Sequence, residues 1–314
     1  MKKPFTFNII LFSLFFFLPL AWADIPVTLV GSYNTSGEAR MVAISGNYAY
    51  VADGYAGLQI IDISNPASPV LVGSYDTSDF AYDVTISGGY AYVADGFAGL
   101  QIIDISNPSS PFRVGGYDTS DYAYGVAVSG GYAYVADRYS GLQIINISNP
   151  SSPIHVGGYD TSGYARKVAI SGNYAYVADY DAGLQIIDIS NPSSPIRVGG
   201  YDTSDYAYHV IVSGPYAYIA YGTTGLEIIN ISNPFSPIRV GGQDTSHYAW
   251  CVAVAGNYAY VADYYAGLQI INIANPLNPF RVGGYDTSGT AYGVVVSGSY
   301  AYVADADAGL QILR

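Results

Sequence analysis

The dipeptide Gly-Leu returns at Gly57, Gly99, Gly141, Gly183, Gly225, Gly267 and Gly309, each 42 residues after the last and without insertion or deletion. A period of that size means a propeller, a solenoid or a similar array, because one unit is too short to bury a core alone. The unit from Ala81 to Thr119 divides at its turn residues into four runs. Ala81 to Gly88 (AYDVTISG) is β-rich and ends in Ser-Gly; Tyr90 to Asp95 (YAYVAD) is the second run. Gly99 to Ile105 (GLQIIDI) is closed by Ser106-Asn107-Pro108, and Pro111 to Tyr117 (PFRVGGY) precedes Asp118-Thr119-Ser120. Four short strands, here A to D, are expected per unit, with turn chemistry at each junction. No run has the periodicity of an amphipathic helix.

Strands B and C carry bulk on both faces: Tyr90 and Tyr92 oppose Ala91 and Val93, and Leu100 and Ile102 oppose Ile103 and Ile105. A sheet with one wet face would alternate more cleanly. Burial on both faces suits a propeller blade wedged between two others. The sequence stops at Arg314 after a C run, while Ile25 to Tyr33 (IPVTLVGSY) matches a D run. With A runs opening at Ala39, Ala81, Ala123, Ala165, Ala207, Ala249 and Ala291, every strand type is counted seven times. The expectation is an all-β, seven-bladed β-propeller with four antiparallel strands per blade, closed by an N-terminal strand that completes the last blade.

The segments Leu58 to Asp62, Leu100 to Asp104 and Leu184 to Asp188 (LQIID), with the following Ile-Ser-Asn-Pro and Pro-x-x-Val-Gly, resemble the LVIVD repeat family. The resemblance covers residues 24–314 and implies a propeller of the exported or cell-surface kind. Asn146, Asn230, Asn272 and Arg314 depart from the motif's Asp, which reads as a structural position.

Residues 1–23 read as a signal peptide. Lys2 and Lys3 precede an apolar run from Phe5 to Leu20, and Ala21-Trp22-Ala23 offers a cleavage site before Asp24. The mature chain, 24–314, is then exported, whether periplasmic, secreted or surface-held, with no membrane insertion after cleavage. Losing the two lysines takes eleven basic residues to nine against 24 acidic ones, a net charge of −15. Nucleic acid and anionic lipid carry the same sign and are poor partners. Cys251 is the single cysteine, so no intrachain disulfide forms, and a chain of this size can rely on its core. A monomer is expected.

Variation between the seven copies locates a candidate site. A–B and C–D turns share one end of the ring and are nearly uniform, with duties that Gly, Asn and Pro ordinarily fill in turns. B–C and D–A loops share the other end and differ between blades: DGYAG from Asp53, DRYSG from Asp137, YGTTG from Tyr221 and DADAG from Asp305. Strand A then opens with Arg40, Tyr82, Tyr124, Arg166, Tyr208, Trp250 and Tyr292, seven residues placed to ring the mouth of a central channel. Aromatic faces hold cations and anchor interfaces, and Arg grips carboxylate or sulfate. The same residues read equally well as filler between neighbouring A strands.

Catalytic and metal readings are weaker. The Asp at 53, 95, 137, 179, 263 and 305 repeats too often to be a catalytic acid and reads as a loop hydrogen-bond acceptor. Asp179-x-Asp181 and Asp305-x-Asp307 lack the full donor spacing of a calcium loop. No cofactor, metal or catalytic set is assigned. Three functions stay open: a non-catalytic scaffold binding a protein, glycan or small ligand; a self-assembling surface or matrix protein; and a hydrolase or lyase using Asp83, Lys167, His209 and Cys251 in the channel.

Overall fold

The computed structural model describes residues 24–202 and 205–314, so the expected signal peptide lies outside the described residues. Seven four-stranded antiparallel sheets form the chain. Blade 2 is typical, with A at Asp83–Ser87, B at Tyr90–Ala94, C at Leu100–Asp104 and D at Phe112–Tyr117. Each A strand lies against the A strand of the next blade, and that of blade 7 against that of blade 1, so the ring is closed with the A strands innermost. Blade 7 takes A, B and C from Gly293–Ser297, Tyr300–Ala304 and Leu310–Leu313. Its fourth strand is Leu29–Tyr33, paired antiparallel from Leu29↔Leu313 to Tyr33↔Leu310, as the strand count required.

The core is seven apolar seams rather than one centre. Between blades 1 and 2, Tyr50, Leu58 and Ile60 pack on Ala91, Val93, Ile103 and Ile105. Fully burying one such aliphatic side chain contributes about 1.5–3 kcal/mol, repeated at every seam. This is why B and C carry bulk on both faces.

Strand A begins two residues later than the sequence suggests in every blade except the fifth, where it spans Ala207–Ser213. The alanine before it bridges to the preceding blade instead. The Ala81 N–H donates to the Gly54 carbonyl at 3.0 Å and the Gly54 N–H to the Ala81 carbonyl at 3.2 Å. The same bridge recurs around the ring and closes it through Ala39 and Ala306.

At the opposite end, the Asn-Pro turn of each of blades 1 to 6 seats against the D strand of the blade before. A bulge between Ile102 and Ile103 of strand C turns Gly115 of strand D toward blade 3. A Cβ there would sit 2.1 Å from the Pro150 carbonyl oxygen, so only glycine fits. Gly73 meets Pro108 and Gly241 meets Pro276 in the same way.

Candidate ligand site at the channel mouth

The loops of the variable end are held by a buried carboxylate. Asp179 accepts the Thr161 hydroxyl at 2.6 Å and the Gly163 N–H at 3.0 Å, tying its B–C loop to the D–A loop that enters the same blade. Asp53, Asp95, Asp137, Asp263 and Asp305 do likewise with Thr35, Thr77, Thr119, Thr245 and Thr287. Burial pushes the Asp53 and Asp179 carboxyls up to about 6, against the lowering effect of these bonds. Both Asp179 oxygens are engaged within the protein. Blade 5 has Tyr221 instead and moves the acid to the other loop: Asp205 accepts the Thr223 hydroxyl at 2.6 Å and the Thr224 N–H at 3.0 Å.

Strands start just inside these loops, so their first side chains converge on the axis. The seven expected residues are brought together in one unbroken ring. The Arg40 guanidinium lies 4.1 Å from the Tyr292 ring and 5.9 Å from that of Tyr82. Tyr82 meets Tyr124 at 4.8 Å, and Arg166 covers Tyr124 at 4.4 Å. Arg166 then faces Tyr208 at 5.6 Å, Tyr208 meets Trp250 at 4.2 Å, and Trp250 meets Tyr292 at 5.2 Å. The ring lines a depression open to solvent that also reaches Met41, Asp83, Lys167, His209 and Cys251 one residue further along strand A.

That second layer is the most varied position of the whole repeat, reading Met41, Asp83, Gly125, Lys167, His209, Cys251 and Gly293. Sequence reasoning singled out four of these but not the layer. The signal was available: seven strands of one design differ most at the residue after the mouth position. Lys167 donates to Asp83 at 2.5 Å across blade 3, with Gly125 between them. Cys251 points at the Val294 carbonyl, 3.7 Å away, and burial pushes its thiol up to about 12. His209 is held well below its ordinary value by burial and then by Lys167, and among the described residues its two buried ring nitrogens have no hydrogen-bond partner. A neutral thiol bonded to a carbonyl is a poor nucleophile, because the thiolate is the reactive form. Among the described residues no group of three or more His, Cys, Asp or Glu side chains is placed to hold a metal ion.

The cations of the mouth are not equivalent. Arg40 pairs with Glu38 at 2.8 Å and Lys167 with Asp83. Arg166 has no ion pair among the described residues, although the Nε atoms of both arginines are buried without a hydrogen-bond partner there. Outside the ring, Tyr55, Phe97, Tyr139 and Tyr265 stand well exposed at one loop position. One residue earlier in that loop, Arg138, Tyr180, Tyr264 and Ala306 hold positive φ angles of 44°, 48°, 53° and 46°, where blades 1, 2 and 5 use glycine. Such a backbone costs an L-residue about 1–2 kcal/mol. Backbone strain of this kind gathers where side chains are needed for more than folding.

These features define a sevenfold repeat propeller with one differentiated mouth. The LVIVD repeat matches at residues 36–77, 80–119, 121–161, 162–203, 205–245, 246–287 and 288–313, and the chain belongs to the LVIVD repeat family. No curated protein matches it. Among solved structures it is similar to the RRP9 WD40 repeats, with 9% identity, a TM-score of 0.72 and coverage of 92% of this chain and 96% of that one. It is also similar to the computationally designed Ika8 protein, with 8% identity, a TM-score of 0.67 and coverage of 90% and 98%. Likeness at such identity concerns the fold alone.

Proposed function

We propose that the chain is a non-catalytic, exported propeller that binds a small anionic ligand with a ring-shaped body at its channel mouth. One observation carries the reading. Among the described residues Arg166 is the mouth cation left without an acidic partner, in a protein of strongly negative net charge, and it is walled by Tyr124, Tyr180, Tyr208 and Trp250. A carboxylate or sulfate satisfies the guanidinium by paired hydrogen bonds, and the rings take the flat face of the same molecule. Acidic sugars and aromatic acids fit this description. The Lys2-Lys3 start, the apolar run and Ala21-Trp22-Ala23 support export.

Calorimetric titration with glucuronate and with glucose tests the reading. Saturable glucuronate binding is expected, with glucose at least about tenfold weaker, since each 1.4 kcal/mol is a factor of ten. The Arg166→Ala, Trp250→Ala double variant should lose binding while keeping its melting temperature. Retained affinity would move the site elsewhere, and a large fall in Tm would show that the ring serves only as packing.

A further inference from the structure

The layer beneath the mouth ring is a floor whose polar groups are nearly all engaged within the protein. Lys167 pairs with Asp83. The same carboxylate accepts the Val84 N–H at 2.9 Å and the Val126 N–H at 2.8 Å. Cys251 is turned to the Val294 carbonyl. Met41 is apolar, and the other two positions are Gly125 and Gly293. Each of these glycines stands one blade before a mouth arginine. A Cβ at Gly125 would lie 2.6 Å from the Arg166 carbonyl oxygen, and one at Gly293 would lie 2.7 Å from that of Arg40. The missing side chains also leave room for Lys167 and Met41, whose Cδ and Sδ would come within 3.3 Å and 2.9 Å of those Cβ positions. Lys167 thereby reaches across blade 3 to its acid.

His209 is the exception in this floor. It is 8% exposed and lines the depression, and among the described residues neither ring nitrogen has a hydrogen-bond partner. Arg166 belongs to the adjoining blade, and the ring of Tyr208, the residue before His209, lies 5.6 Å from the Arg166 guanidinium. One small molecule can therefore touch both groups. Their needs differ. A guanidinium has donors only, which a carboxylate satisfies. Burial, and then the Lys167 ammonium, keeps His209 neutral, and a neutral imidazole has one donor and one acceptor nitrogen. A carboxylate has no proton to give that acceptor, and leaving a buried acceptor unmet is costly. A hydroxyl group both gives and takes.

We infer that the ligand of the channel mouth is a hydroxylated ring acid of the sugar-acid class, held by its acid group at Arg166 and read through a hydroxyl group at His209. The inference rests on the mouth being a site for an anionic, ring-shaped ligand, and it narrows that reading. Ring acids without hydroxyl groups become weak ligands. Lys167 does not compete for the acid group, because Asp83 already holds its ammonium. Arg166 supplies affinity for the charge, and His209 supplies the choice between acids.

The test is calorimetric titration of the purified protein with glucuronate and with cyclohexanecarboxylate, which keeps the acid and the ring and lacks the hydroxyl groups. Glucuronate should bind at least about tenfold more tightly, the factor that 1.4 kcal/mol gives. His209→Leu should abolish that preference and leave cyclohexanecarboxylate binding unchanged. His209→Gln, whose amide also donates and accepts, should restore it. Imidazole nitrogen NMR of the unsubstituted protein decides the matter if His209→Leu folds poorly: glucuronate should shift the His209 nitrogens and cyclohexanecarboxylate should leave them in place. A preference that survives His209→Leu, or His209 nitrogens unmoved by glucuronate, would overturn the inference. Equal affinity for the two acids, lost in Arg166→Ala, would overturn it while leaving the mouth as an anion site. Binding of neither acid would overturn both readings.

Discussion

The two ends of the ring fasten neighbouring blades by different means, and the difference decides where the sequence is free to vary. At the Ser-Asn-Pro end the fastening is backbone against backbone, with Gly115 under the Pro150 carbonyl and its equivalents around the ring. Shape complementarity of that kind ties down every residue nearby. At the loop end one carboxylate and one alanine bridge per blade do the work. Residues 37–38, 40–41 and 54–55 of blade 1 and their counterparts take part through backbone groups alone, and there the copies' side chains diverge. A site can be varied where folding depends on few atoms.

This contrast can be broken experimentally. The largest effect is expected for Gly115→Val, which forces backbone apart at the rigid end and should cost about 3 kcal/mol in urea unfolding, the upper range for overpacking. Equal stability would mean that the turn moves away at little cost. Asp179→Ala at the loop end removes two hydrogen bonds and leaves buried donors unsatisfied, for about 2 kcal/mol. Its counterpart for comparison is Asp188→Ala, where the carboxylate accepts the Ser190 N–H at 2.8 Å near solvent and the loss should fall within experimental error. Similar losses for the two would erase the distinction between buried and exposed acids.

The smallest effect is on pH. Folding raises the carboxyls of Asp53 and Asp179 to about 6 and also lifts those of Asp95, Asp137, Asp263 and Asp305 above the ordinary 3.8. The folded state therefore holds more protons than the unfolded one between the two values, so stability falls as pH rises through that window. His209 acts the other way, staying neutral in the fold while the unfolded histidine gains a proton below 6.5. The two carboxyls that reach about 6, Asp53 and Asp179, titrate across this range against one histidine, so Tm should be higher near about pH 5.5 than near about pH 7.5. His209→Leu should widen that gap, and a Tm that rises steadily toward neutral pH would contradict the sign. Below the window the trend reverses, because Ser64, Ser106 and Ser190 hold the Asp62, Asp104 and Asp188 carboxyls low by hydrogen bonding.

Most of the fold was legible because a 42-residue unit repeats its turn residues without slippage. Closure was legible too, since Ile25 to Tyr33 is a D run standing alone. The mouth ring could be named residue by residue from variation at one repeat position. What lay beyond reach were relations between units. Lys167 and Asp83 are 84 residues apart, and nothing local in either blade announces the pair. Thr161 meets Asp179 across 18 residues and a loop crossing, so the sequence reading assigned the acid a loop N–H but not its partner. The pairing of Arg239 with Glu227, where other blades set Arg against Gln, is a coordinated change visible only once strands C and D are side by side.

The hydrogen bonds that shut the ring join residues separated by 286 positions, between Thr28 and Arg314. Along the chain, the strand at Leu29–Tyr33 precedes every other strand of the described residues and pairs with the last of them. Six blades each take four consecutive strands, whereas the seventh is complete only when segments from both ends of the described chain are side by side. Contacts so distant along the chain form slowly, which makes the final closure a natural moment for an assembly factor, or a competing strand, to intervene.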